Sequence, residues 1–217
     1  MTHNKKPIKS RPNLGQIAYD EIKTMILTGE LEPGERIVLD DLSQRLNLSV
    51  TPIRDALNKL EQDDLIVITP RTSHSVVKIT ASDAADILDL RLMLEMYALQ
   101  SAGNSLADFP IAHFKDLFSR ASLPHNPKDF MLADAQFHSA ILAMSPNQRL
   151  PKLYAYLQNL IQVISVQAIK SEGRIADANK EHLELLKAIE QQDIELATKC
   201  LKEHFGEMRA AVIEAAL

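Results

Sequence analysis

The feature that most limits what this chain can fold into is a change of period near Thr80. Beyond Thr80-Ala81-Ser82 the strand signals end, and apolar residues recur only at helical intervals. Ser82 or Asp83 is placed to cap a long helix through about Ser101, with Ile87, Leu90, Leu94 and Ala98 along one side. Further helices are predicted over about 110–122, 127–144, 147–171, 174–191 and 193–215, punctuated by Pro124, Pro127, Ser145-Pro146, Gly173 and Gln192-Asp193. Six helices with short links make an antiparallel bundle.

The upstream third reads differently. Ile17, Ile22, Met25 and Ile26 set a helix over 14–28 that stops at Gly29, and Glu32-Pro33-Gly34-Glu35 is a turn. Ile37-Val38-Leu39 reads as a short β segment, and Asp40 or Asp41 as the cap of a helix through Leu46. After the turn Asn47-Leu48-Ser49, Ser49 or Thr51 caps a second helix over about Pro52–Asp63, with Ile53, Ala56, Leu57 and Leu60 inward. Leu65–Ile68 and Ser75–Ile79 are β-rich and joined by the cationic stretch Thr69–His74, which makes a wing. The expected fold is therefore mostly α. A basic arm (1–13) leads into a winged helix-turn-helix domain (14–79), followed by an all-helical bundle of about six helices (80–217).

Such a module lays its second helix in the major groove, with residues at the helix start reaching base edges. Arg45, Ser49, Thr51 and Arg54 are the candidate contacts there, and Arg71, Thr72 and His74 those of the wing. The charge distribution limits this to a local face. Residues 1–78 balance their charges, so the net −5 belongs to the remainder, and indiscriminate coating of nucleic acid is excluded. No apolar run approaches the twenty or so residues that span a bilayer. The basic N-terminus lacks an apolar segment behind it and does not read as a secretory signal. The single Cys200 rules out an internal disulfide and fits a reducing cytoplasm.

Within the bundle, Asp134 and His138 lie one turn apart on one helix face, and His182 and His204 recur on two other predicted helices. Together they could close a metal site; taken singly, each reads more simply as a surface or hydrogen-bonded polar residue. Arg91 could meet an anionic group or pair with Glu95. Asn147 could donate to a ligand or cap the next helix.

Taken in order, these motifs resemble a known family. The run Gly29–Ile37, then Leu42-Ser43-Gln44-Arg45-Leu46, then Leu48–Glu61 is similar to the winged-helix domain of GntR-family transcription regulators. Arg91-x3-Glu95, Asp134-x3-His138, Ser145-Pro146-Asn147-x2-Leu150, Glu181-His182-x5-Ala188-Ile189 and His204 are similar to the FCD effector domain of the FadR-type branch. Val50 stands where the family usually carries arginine, and Asp64 where it usually carries glycine.

The resemblance implies that Asp134, His138, His182 and His204 ligate a divalent metal, a donor set suited to Zn²⁺ or Ni²⁺. It implies a DNA-binding regulator, a repressor, that acts as a homodimer on a pseudo-palindromic operator. A small organic acid bound beside the metal, with Arg91 and Asn147 as candidate contacts, would control it. The competing expectations are a helical-bundle metalloenzyme with a non-catalytic winged helix, and a repressor for which the ion itself is the signal.

Overall fold

The computed structural model describes residues 13–69, 73–121 and 127–215. The first helix, α1 (Leu14–Leu27), is capped by Asn13, whose side chain accepts from Gln16 N, and it buries Ala18, Ile22, Met25 and Ile26. These side chains pack on α3 (Val50–Gln62), which turns Ile53, Ala56, Leu57 and Leu60 toward them. Between them, β1 (Arg36–Ile37) leads into α2 (Leu39–Leu46). The helix α2 starts earlier than predicted: Val38 occupies the cap position without a side-chain bond, and Asp40 and Asp41 lie in the first turn, where their charge suits the helix dipole. Asn47 closes α2 in the left-handed region (φ +51°), a conformation that asparagine tolerates.

The wing is β2 (Ile66–Thr69) and β3 (Ser73–Val76), antiparallel, with Val67 opposite Ser75 and Ile68 opposite His74. The strand β1 joins the other edge of β3, giving the order β1-β3-β2. Thr69, Ser73 and His74, expected in the connection, are thus part of the ladder. Asp64, at the position where glycine was expected, carries φ +58° in the turn before β2.

The bundle opens with α4 (Ala81–Ser101). Its cap is Thr80, not Ser82, and Thr80 and Asp83 form a reciprocal capping box. Its inward stripe runs through Ala84, Leu88, Arg91, Glu95 and Ala98, so Leu90, expected inside, is 47% exposed. Apolar periodicity misplaced this face by about one residue because two of its inward side chains are charged. A 3₁₀ turn at Gly103–Leu106, which the sequence reading did not anticipate, leads to α5 (Ile111–Ala121). There follow α6 (Pro127–Ala143), α7 (Leu150–Ala168), α8 (Arg174–Glu190) and α9 (Ile194–Ala215). The helix α7 starts three residues later than predicted, with Pro151 in its first turn.

One continuous apolar core runs from Ile22 and Leu57 in the first third to Leu88, Phe137 and Leu185 in the bundle. The two parts meet where α1 approaches α7. Asn159 Nδ2 donates to the Asp63 carbonyl at 3.3 Å, and Lys170 pairs with Glu32 at 3.3 Å. Gly29, at φ +73°, lies so close to α7 that a Cβ there would stand 3.0 Å from Val166 Cγ1. A side chain at this position meets both a backbone conformation that disfavours it and an occupied space. We expect Gly29→Ala to lower unfolding free energy by about 1–3 kcal/mol in denaturant titration, with unchanged helical circular dichroism in the native baseline.

Candidate metal centre and DNA-reading face

Three helices converge on one buried polar group. The helix α6 supplies Asp134 and His138, α8 supplies His182, and α9 supplies His204; all four are buried. One potential ligand atom from each lies within 4.8 Å of every other. The tightest triangle is His138 Nε2 to His182 Nε2 at 3.3 Å, His182 Nε2 to Asp134 Oδ1 at 3.3 Å, and His138 Nε2 to Asp134 Oδ1 at 3.5 Å. A tetrahedral ion with bonds of about 2.0–2.1 Å separates its ligand atoms by roughly 3.3 Å. These donors therefore already stand at the spacing of a coordination shell.

Two of the imidazoles are held from behind in the same way. His138 Nδ1 meets Glu95 Oε2 at 2.6 Å, and Glu95 accepts from Arg91 Nε at 2.9 Å. His204 Nδ1 meets Glu181 Oε2 at 2.6 Å, and Glu181 takes both terminal nitrogens of Arg174 at 2.8 and 2.9 Å. A carboxylate on Nδ1 keeps that nitrogen as the donor and leaves the Nε2 lone pair pointing inward, the tautomer a metal requires. His204 Nε2 is buried with no hydrogen-bond partner, an arrangement that is costly unless a further group completes it. The His182 ring is fixed by packing instead, with Phe118 stacked on it at 4.7 Å between centroids.

Electrostatics separates the members of the group. Burial alone would raise the Asp134 carboxyl, but His138, His182 and Arg91 hold it well below the usual carboxylate range. Burial and Arg91 push His138 down, yet Glu95 and Asp134 outweigh them and raise it. Burial lowers His182, and burial with the two neighbouring imidazoles holds His204 well below its ordinary value. Tyr154, on α7, is pushed up to about 12 by burial, against the effect of Arg91.

Arg91 belongs to this group. It is completely buried, its NH2 nitrogen lies 3.8 Å from Asp134 Oδ2, and its guanidinium sits over the Phe205 ring at 4.8 Å. The pairing with Glu95 and the closeness to the cluster coexist. Asn147 does not join it: exposed in the turn before α7, it accepts from Arg149 N at 3.1 Å, while Arg149 holds the cap position itself.

At the other end, Arg54 and His74 line one concavity of about 670 Å³ between α3 and the wing, together with Arg36, Asn58 and Thr69. Arg54 and Thr51 are exposed on α3, and Ser49 holds its cap position with a hydroxyl that makes no capping bond. Arg45, at the end of α2, is paired with Glu30. Arg71 and Thr72 lie outside the described residues.

Comparison with known proteins decides the family. Residues 14–76 match the model for bacterial regulatory proteins of the gntR family, and residues 86–207 match the FCD domain. The chain is a GntR-family regulator with an FCD domain. It is similar to the HTH-type transcriptional regulator YdhC of Bacillus subtilis, at 26% identity over 192 residues covering 87% of this chain and 86% of that one. The gluconate operon transcriptional repressor of Bacillus licheniformis is 24% identical over 94% of this chain and 86% of its own. Among solved structures, McbR/YncC of E. coli superposes with a TM-score of 0.76 at 20% identity, over 95% of this chain and all of that one (100%). These relatives are regulators of transcription, and the GntR–FCD chain is a DNA-binding transcription regulator rather than an enzyme.

Sequence reasoning did not find every participant in this regulator. Glu95 and Glu181 stand behind the imidazoles, and Arg174 stands behind Glu181. Their signal was present as Arg-to-Glu spacings of four and seven residues on helices that carry or face the histidines. Arg36 and Asn58, beside Arg54 in the concavity, lacked any local signal.

The lowered His182 and His204 set a pH dependence. The unfolded chain takes up protons at these positions near the ordinary value of 6.5, where the fold keeps them neutral, so stability falls as pH drops below about 6.5. His138, raised, works in the opposite sense: its contribution is present below 6.5 and lost as pH rises through its folded value. His204, held well below its ordinary value, sets the net direction. Chelator-treated protein should melt at lower temperature at pH 5.5 than at pH 7.5, and His204→Leu should flatten that slope.

Proposed function

We propose that this regulator holds a divalent cation, Zn²⁺ or Ni²⁺, through Asp134, His138, His182 and His204, and that a small carboxylate bound beside it controls operator affinity. The observation that carries the reading is the buried, unpartnered Nε2 of His204, in a residue with a ligand atom within 4.8 Å of three other donors that already stand at coordination spacing. The donor set fits the ion: three imidazoles and one carboxylate suit a borderline divalent metal. When bound, the ion supplies positive charge that attracts an oxygen of an organic acid. The chain's own part is orientation and exclusion of water. Glu95 and Glu181 fix two rings, Phe118 the third, and Arg91 adds a buried positive charge next to Asp134.

On the DNA side, α3 enters the major groove with Thr51 and Arg54 at its leading end, and the concavity between α3 and the wing, lined by Arg36, Asn58 and His74, receives the phosphate backbone. Val50 contributes no hydrogen bond where the family's arginine would, which places more of the base reading on Arg54. A symmetric dimer is supported by an exposed apolar stripe on α4, where Leu90, Met93 and Tyr97 are 47%, 65% and 47% exposed at helical spacing. Two-fold symmetry then calls for a pseudo-palindromic operator. Ligand binding releases the protein from DNA, so the regulator is a repressor acting in the cytoplasm. No helix among the described residues is long and apolar enough to cross a membrane.

Two experiments test this. Elemental analysis of the purified protein should find about one divalent ion per chain, and His182→Ala should lose it together with the added thermal stability that a bound ion confers; full metal content in that variant removes His182 from the site. In a mobility-shift assay, Arg54→Ala should weaken specific binding by about 10–100-fold, the equivalent of roughly 1–3 kcal/mol for one base-reading contact. Non-specific, salt-sensitive binding should change far less.

A further inference from the structure

Beside the metal group lies a small cavity of about 20 Å³, whose lining includes Asp134, His204, Ser165 of α7 and Arg174. That volume admits about one water molecule. Ser165 is 4% exposed, and its hydroxyl has no hydrogen-bond partner. A buried serine inside a helix ordinarily bonds back to the carbonyl one turn earlier. Ser165 does not, and no other group among the described residues meets it. Arg174, in the same lining, has its guanidinium committed to Glu181. Two unpartnered polar atoms, Ser165 Oγ and His204 Nε2, therefore belong to residues bordering a space the size of one oxygen.

We propose that Ser165 is the contact through which the protein positions an oxygen-donor ligand, a water or one carboxylate oxygen, beside the Asp134–His204 group, where it would add to the four protein donors of a bound ion. This rests on the metal reading above and adds to it the residue that senses whether the position is filled. The hydroxyl would donate to the ligand oxygen, and a bound ion would supply the positive charge that attracts it. A larger acid must displace the cavity wall to place its second oxygen, so occupancy bears on α7. The next residue of that helix is Val166, which faces Gly29 across the junction with the winged helix. A ligand at Ser165 thus acts one residue away from the contact between the two halves.

The test uses Co²⁺-loaded full-length protein and acetate as the probe, followed by visible absorption. Wild type should give a saturable spectral change with acetate. Ser165→Ala should retain Co²⁺ stoichiometry and melting temperature but bind acetate about tenfold more weakly, as expected for loss of one hydrogen bond to a charged oxygen. Hydrogen exchange of the Gly29, Glu30 and Leu31 amides, which donate to Ile26 and Met25 carbonyls, should change on acetate addition in wild type and not in the variant. Equal acetate affinity in both proteins overturns the role of Ser165 while leaving the metal site intact. Unchanged exchange in wild type overturns transmission through α7. Failure of wild type to bind Co²⁺ overturns the metal reading and this proposal together.

Discussion

A guanidinium with no exposure to solvent is the constraint around which the bundle is arranged. Desolvating Arg91 is costly, and the fold offsets it only by burying counter-charges with it: Glu95 one turn along the same helix and Asp134 across on α6. Arg174 repeats the device from the other side through Glu181. Each arginine fixes a carboxylate, and each carboxylate fixes the Nδ1 of one histidine. Apolar replacement of such pairs is often neutral or favourable for stability in other proteins, so their retention here is explained by what they orient rather than by the energy of the pairs themselves. With the histidines neutral, Arg91 and Arg174 face Glu95, Glu181 and Asp134, leaving an excess negative charge at the centre. A proton on His138 supplies the balance in one state, consistent with its raised pKa. In the proposed metal-bound state a cation held by the four donors would supply it instead, in competition with that proton.

How much of this was legible in the sequence follows from the range of the interactions. Local rules placed the helices of both halves, the wing and the breaks at Gly29 and Gly173, because caps, turns and apolar periods are set by neighbours in the chain. They failed on α4, where a rule that sends charges outward hid Arg91 and Glu95 and brought Leu90 wrongly inside. They failed again at Asn147, since a helix may begin after a turn that an asparagine stabilises. The members of the buried cluster were separable from other histidines only through their order and spacing in the family pattern; His113 shares the residue type and is not part of the cluster. Glu181 became interpretable once α8 and α9 were seen to pack, because its partner His204 lies 23 positions away. Ser165 gives no sequence signal at all, as a serine in an apolar helix looks like an ordinary small residue.

What makes the arrangement a regulator is that one helix belongs to both problems. The inner face of α7 carries Tyr154 near Arg91 and Ser165 beside the cavity, and elsewhere Asn159, Val166 and Lys170 meet the winged helix and its turn. A ligand can shift DNA affinity only by as much as it distinguishes two arrangements of the chain. Beside the apolar core that the two halves share, the polar contacts described along this seam are individually weak: one hydrogen bond and one exposed ion pair, next to a glycine admitted against a valine. A seam worth many kcal/mol would need an effector of implausible affinity to move it, because shifting a two-state equilibrium from 1:99 to 99:1 already demands about 5.5 kcal/mol of differential binding. The charge-locked centre and the seam are joined through this one helix, and the absence of a side chain at residue 29 is what lets Val166 of α7 come so close to the turn after α1.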